Sequence, residues 1–223
     1  MKTGWLFIHG GWGGPWQWNP LVKRLKEQQI TSFTPDFPGM GVMDGRNINL
    51  YDFIEHASRI IEEYKNPLNI AAFSFGGMTA TALAGKYTDR INRLVYIDAF
   101  VPEPGQAFID IAGEKITRQI ESYSDVMGKN NMIPPFFETD ARYRSHPMGT
   151  LFTAVDYSEK NLLSLNPVYI ECIEKDPLWT FTPILEKTAG RIRENKWIFH
   201  TLKSDHMPMY SHREELYSLL TTE

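Results

Sequence analysis

Ser74 stands in Ala72-Phe73-Ser74-Phe75-Gly76-Gly77, between an apolar run and a segment of good helix formers reaching Ala84. Strand, serine, glycines, helix is the order of a sharp turn that pushes a nucleophile out at the edge of a sheet. Such a turn needs small residues two before and two after the serine, and Ala72 and Gly76 supply them, with alanine where glycine is usual. A serine that only caps a helix after a strand has the same local pattern, so the choice rests on partners elsewhere. A hydroxyl is a poor nucleophile until a base removes its proton, and the base must come from later in the chain.

His206, in the loop Ser204-Asp205-His206-Met207-Pro208-Met209 after the last predicted strand, is the candidate base. His200 falls within that strand, His212 in the first turn of the following helix, His146 in an insertion, and His56 off the apolar stripe of its helix. An imidazole base needs a carboxylate to fix its tautomer. Asp176, just past the strand Pro167–Cys172, fits the chain order serine, aspartate, histidine. Its rivals are Asp98, at the end of the strand after the serine's helix, and Glu174. Asp205 adjoins the histidine and reads as loop structure. The glycines of His9-Gly10-Gly11-Trp12-Gly13-Gly14 present backbone, which suits donation of N–H groups to a developing oxyanion. Neither G-x-G-x-x-G nor a G-K-[ST] ending is there to favour a phosphate.

The elements that must hold these residues alternate. Short apolar strands are predicted at Trp5–Ile8, Ser32–Pro35, around Ile70–Phe73, at Arg93–Asp98, Pro167–Cys172 and Trp197–Leu202. Between them fall helices over Pro15–Gln28, Tyr51–Tyr64, from Gly77 onward and over Ile184–Ile192, and a last one begins at His212 with Ser211 and Glu214 as a capping box. Strands separated by helices imply crossovers, hence an α/β fold with a mostly parallel sheet of about six strands. From Phe100 to Leu165 the rhythm breaks into prolines, a helical segment near Glu114–Met127 and many apolar residues. We expect 1–100 and 166–223 to form the core and 101–165 a cap over the strands' carboxyl ends, where open α/β sheets bind ligands.

The 223 residues are 42% hydrophobic, 22% charged and 13% aromatic, suited to one domain with a large core. A net charge of −4 without a basic run argues against nucleic-acid binding. The single cysteine, Cys172, cannot form an internal disulfide, no spaced thiolates suggest a metal, and no stretch approaches a membrane span of about 20 apolar residues. A cytoplasmic protein without cofactor or metal is the expectation, as a monomer or a homodimer.

The chain resembles the α/β-hydrolase superfamily, and within it the branch of plant methylesterases, hydroxynitrile lyases and related bacterial carboxylesterases. The resemblance lies in His9-Gly10-Gly11-Trp12 with Trp16 and Trp18, Asp36-Phe37-Pro38-Gly39-Met40-Gly41, Phe73 to Gly77, Leu94 to Gln106, Tyr169 to Cys172 and Asp205 to Met209. It implies helices on both faces of the sheet, Ser74 as nucleophile, His206 as base, an acid after Cys172, and an oxyanion hole from the amides of Gly11 and Phe75. Asp176 stands one residue beyond the family's usual acid position. Lyases of the branch are similar in having a threonine in the oxyanion loop and a lysine after the histidine; Gly10 and Met207 stand there instead. The expectation is hydrolysis of a small apolar or aromatic carboxylic ester, in a pocket made by Trp12, Met207, Phe108 and Phe136. The alternatives are a ligand-binding protein without turnover, or a lyase or thioesterase on the same scaffold.

Overall fold

The structure is a computed structural model describing residues 2–41, 45–127, 131–135, 140–195 and 197–221. Strand β1 (Gly4–Ile8) is buried throughout and leads through a short 3₁₀ turn, Pro15–Trp18, into helix α1 (Asn19–Glu27). The single predicted helix divides here because Pro20, without an N–H, sits in the first turn of α1, where none is needed. Strand β2 (Ser32–Phe33) is shorter than Ser32–Pro35; Pro35 has no N–H for a ladder. Helix α2 (Leu50–Glu63) starts at a capping box, with Asn49 Oδ1 accepting from the Tyr51 N–H and Asp52 Oδ2 from the Asn49 N–H, both at 2.8 Å.

Strand β3 (Leu68–Phe73), helix α3 (Gly76–Lys86) and strand β4 (Ile91–Ile97) follow. Beyond β4 the chain passes through α4 (Phe108–Ala112), α5 (Glu114–Met127), the antiparallel pair β5 (Met132–Ile133) and β6 (His146–Pro147), α6 (Gly149–Phe152) and α7 (Glu159–Ser164). Helix α7 lies on α3, where the Asn161 side-chain amide donates to the Gly85 carbonyl at 2.9 Å. Strand β7 (Val168–Cys172), helix α8 (Thr182–Glu194), strand β8 (Ile198–Leu202) and helices α9 (Pro208–Ser211) and α10 (Arg213–Thr221) complete the chain. Ser211 ends α9, and its hydroxyl donates to Asp205 Oδ1 at 2.8 Å rather than forming the predicted capping box.

Six parallel strands form one sheet in the order β2-β1-β3-β4-β7-β8. Alternate side chains of each strand serve opposite faces. Leu6, Ile8, Ile70, Ala72, Leu94 and Tyr96 pack under α2, α3 and α8. Trp5, Phe7, Phe73, Val95, Ile97 and Ile170 pack under α1 and α10. From β1 the chain goes to β2 on one side and later to β3 on the other, so the order reverses at β1/β3 and opens a crevice beyond their carboxyl ends.

Closing the turn after β3 beside β1 demands glycine twice. A Cβ on Gly76 would lie 2.6 Å from the Ile8 carbonyl oxygen and 2.7 Å from that of His9, and one on Gly77 would strike the Phe100 carbonyl oxygen. These obstacles are backbone and cannot turn aside. Gly77→Ala is therefore expected to cost about 1–3 kcal/mol of stability by overpacking, read as a lower urea midpoint with an unchanged m-value. An unaffected midpoint shows that α3 can move away from β4.

Candidate functional site

The chain turns at Ser74 with φ 52°, in the left-handed region that a non-glycine residue avoids. The turn is held by Ser74 N–H donating to the Ile97 carbonyl at 3.2 Å and by the Ser74 carbonyl accepting from Gly77 and Phe100, each at 3.1 Å. The same strain recurs at Trp12 (φ 57°) and Asp98 (φ 41°). All three residues lie where strands β1, β3 and β4 run out, a clustering typical of sites where structure overrides backbone preference.

His206 projects from the loop after β8, with Nε2 3.0 Å from Ser74 Oγ and Nδ1 2.6 Å from Asp98 Oδ2. A carboxylate at Nδ1 selects the tautomer with the proton there, leaving Nε2 to accept from the serine hydroxyl. Phe73 and Trp179 hold the ring, with centroids 4.6 and 4.5 Å away. Asp205 stays in its own loop, where Oδ1 accepts from the Met207 N–H at 2.9 Å.

The carboxylate meeting His206 is thus Asp98 and not the expected Asp176. Asp176 is exposed at the pocket's edge, where Oδ1 accepts from the Leu178 N–H at 2.9 Å, and Glu174 is exposed as well. Asp98 directly follows β4, the neighbour of β3, and its left-handed backbone directs the carboxylate to the histidine loop. A carboxylate closing the apolar run Leu94–Ile97 and followed by Ala99 and Phe100 was the available signal, because burial there demands a partner. Sequence reasoning also missed Lys175, whose Nζ lies 2.9 Å from Asp98 Oδ1.

Across the crevice, a Cβ on Gly11 would touch Phe75 Cβ at 3.4 Å. Both residues line one cavity, and neither backbone N–H donates to a protein acceptor among the described residues. The loop bearing Gly11 is clamped by the segment leading into β6. Arg144 N–H donates to the Trp12 carbonyl at 2.7 Å, and the Arg144 guanidinium donates to the Gly13 carbonyl at 2.9 Å and pairs with Asp36. The Trp12 N–H points to His146 Nδ1 at 3.4 Å, while His146 Nε2 meets Thr150 Oγ1 at 2.6 Å.

The cavity holds about 330 Å³ and its apolar wall includes Trp12, Phe75, Phe100, Phe108, Trp179 and Phe181. Met207 joins that lining, whereas Phe136 lies outside the described residues. Among the described residues no group of three His, Cys, Asp or Glu side chains could hold a metal ion, and no helix is long and apolar enough to cross a membrane.

A profile described as the alpha/beta hydrolase family matches residues 5–219, and the chain belongs to that family. Among curated relatives, a carbendazim-hydrolysing esterase of Nocardioides sp. (strain SG-4G) is 28% identical over 121 residues, covering 52% of this chain and 50% of the relative. Putative methylesterase 15, chloroplastic, of Arabidopsis thaliana is 21% identical over 246 residues, covering 96% and 55%. The chain thus spans about half the length of these two relatives. Among solved structures, an extracellular α/β-hydrolase from a Paenibacillus species superposes with a TM-score of 0.80 at 22% identity over 98% of each chain. An Arabidopsis methylesterase does so at 0.71 and 19%, over 98% of this chain and 97% of the other.

Burial pushes the imidazoles of His9 and His146 down from 6.5, to about 4 and about 3. In the folded protein the His9 and His146 rings stay neutral down to about pH 4 and about pH 3, while the unfolded chain protonates them below pH 6.5. The stability they contribute is whole above pH 6.5 and is lost as pH falls towards their folded values. Each ring should steepen that loss by up to about 1.4 kcal/mol per pH unit. His146→Gln is expected to unfold more easily at pH 7.5 but to show a shallower decline from pH 6.5 to 4 in urea titrations. An unchanged slope shows that the native ring accepts a proton freely.

Proposed function

We propose that this protein is a serine hydrolase that cleaves small apolar or aromatic carboxylic esters through an acyl-enzyme, with Ser74 as nucleophile, His206 as general base and Asp98 as the acid. The observation that carries this reading is the single imidazole with Ser74 Oγ at 3.0 Å on one nitrogen and Asp98 Oδ2 at 2.6 Å on the other. Family membership and esterase-named relatives support the reaction class. Residues 101–165 serve as the cap, and no cofactor enters the reaction.

His206 Nε2 takes the hydroxyl proton as Ser74 Oγ bonds to the ester carbonyl carbon, and the carbonyl oxygen becomes an anion facing the N–H groups of Gly11 and Phe75. Asp98 stabilises the imidazolium so formed. Collapse of the adduct breaks the bond to the alkoxy group, which leaves with the proton from Nε2. Water then attacks the acyl-enzyme, gives its proton to Nε2, and the acid departs as Ser74 recovers its hydrogen. The aromatic wall supplies apolar contact to the acyl or alcohol part and leaves orientation to the few polar groups at the reacting end.

Ser74→Ala is expected to abolish p-nitrophenyl acetate turnover and labelling by a fluorophosphonate probe. Asp98→Asn should lower kcat by on the order of 10⁴ by stabilising the wrong tautomer, while Asp176→Asn retains most activity. A folded wild-type protein that resists the probe overturns the hydrolase reading, and a loss confined to Asp176→Asn overturns the assignment of the acid.

A further inference from the structure

Asp98 has two oxygens and two different partners. Oδ2 meets the His206 ring, and Oδ1 meets the Lys175 ammonium at 2.9 Å, with the Cys172 N–H also directed at Oδ1 from 3.4 Å. Lys175 Nζ also donates to the Cys172 carbonyl, which fixes the ammonium from behind. The lysine and aspartate side chains are 3% and 0% exposed, so neither charge is answered by water. This is no surface ion pair, and removing one member leaves the other charge buried.

The charge balance bears directly on the base. Without a cation, a buried carboxylate answered only by imidazole and the neutral Cys172 N–H favours drawing a proton onto the ring, and an imidazolium cannot accept the serine's proton. With Lys175 in place, the aspartate charge is already balanced while the ring is neutral.

We propose that Lys175 is a positioning residue that locks the Asp98 carboxylate in register and, by balancing its charge, keeps His206 unprotonated at rest. The proposal rests on the hydrolase reading of the same site. The groups facing the ring are Ser74 from the turn after β3, Asp98 from the end of β4, Lys175 and Asp176 from the loop after β7, and Asp205 from the ring's own loop. From the β6 side comes Tyr143, whose hydroxyl points to Met207 Sδ at 3.9 Å. Cys172 and Tyr169, both near Asp98, are pushed up by burial first and by the Asp98 charge second, and so stay neutral. The compensating charge beside Asp98 is therefore that of Lys175.

Lys175→Gln keeps a hydrogen-bond donor for Asp98 and removes the charge. On p-nitrophenyl acetate its kcat/KM is expected to fall by up to about tenfold on the acid limb of the profile and to recover towards the wild-type value on the alkaline plateau, the acid limb having moved up by about one unit with KM little changed. A loss of equal proportion at every pH, or no loss, overturns the proposal. A second measurement needs no turnover: the His206 ring is titrated by NMR in Ser74→Ala with Lys175 intact and with Lys175→Gln, or Lys175→Arg against wild type if the neutral variant does not fold. Uptake of the ring proton at higher pH without the charge, or at the wild-type pH with arginine, supports the role; an unmoved titration in Lys175→Gln, or a moved one in Lys175→Arg, overturns it. If probe labelling and the Ser74→Ala turnover assay reject hydrolysis, this titration still decides whether Lys175 governs the ring.

Discussion

A negative charge sits at Asp98 where no solvent reaches, and the surrounding groups are arranged to answer it. An ammonium lies on one oxygen and an imidazole on the other. Each is delivered by a loop at the carboxyl end of a different strand: Lys175 after β7 and His206 after β8. Because these strands are parallel and successive neighbours of β4, their loops converge on one edge of the sheet. The electrostatic demand of a single carboxylate thus ties three strand ends together, and a buried pair of this kind is better credited with fixing geometry than with adding stability.

On the other side of the serine the constraint is steric. The turn after β3 can approach the first loop only because Gly76 presents no side chain to the carbonyls of Ile8 and His9. That closeness brings Gly11 and Phe75 to the lining of one cavity. The strained backbone at Trp12, Ser74 and Asp98 is the conformational cost of bringing three strand ends to a common point.

Much of this was legible in the residues themselves. The strand runs, the amphipathic α2, and the small residues around Ser74 follow from period and size, which act locally. Helix α1 started later than its apolar face suggested because the position of Pro20 outweighs periodicity near a helix start. The carboxylate was harder to choose. Asp98 and Asp176 both follow buried strands, and only the backbone turn at Asp98, a property of three-dimensional context, directs one of them at the histidine. Lys175 was invisible for the same reason, since a lysine in a polar loop reads as solvated until its ammonium is seen inside. His146, set aside as part of the insertion, packs against the first loop through a contact spanning most of the chain.

That contact bears on how such a protein could be redesigned. Because Arg144 and His146 grip the loop that carries Gly11, that loop and the segment leading into β6 are mechanically one part. An insertion transplanted from a relative would carry the wrong grip, and the loop after β1 would shift with it unless residues 140–148 stayed behind.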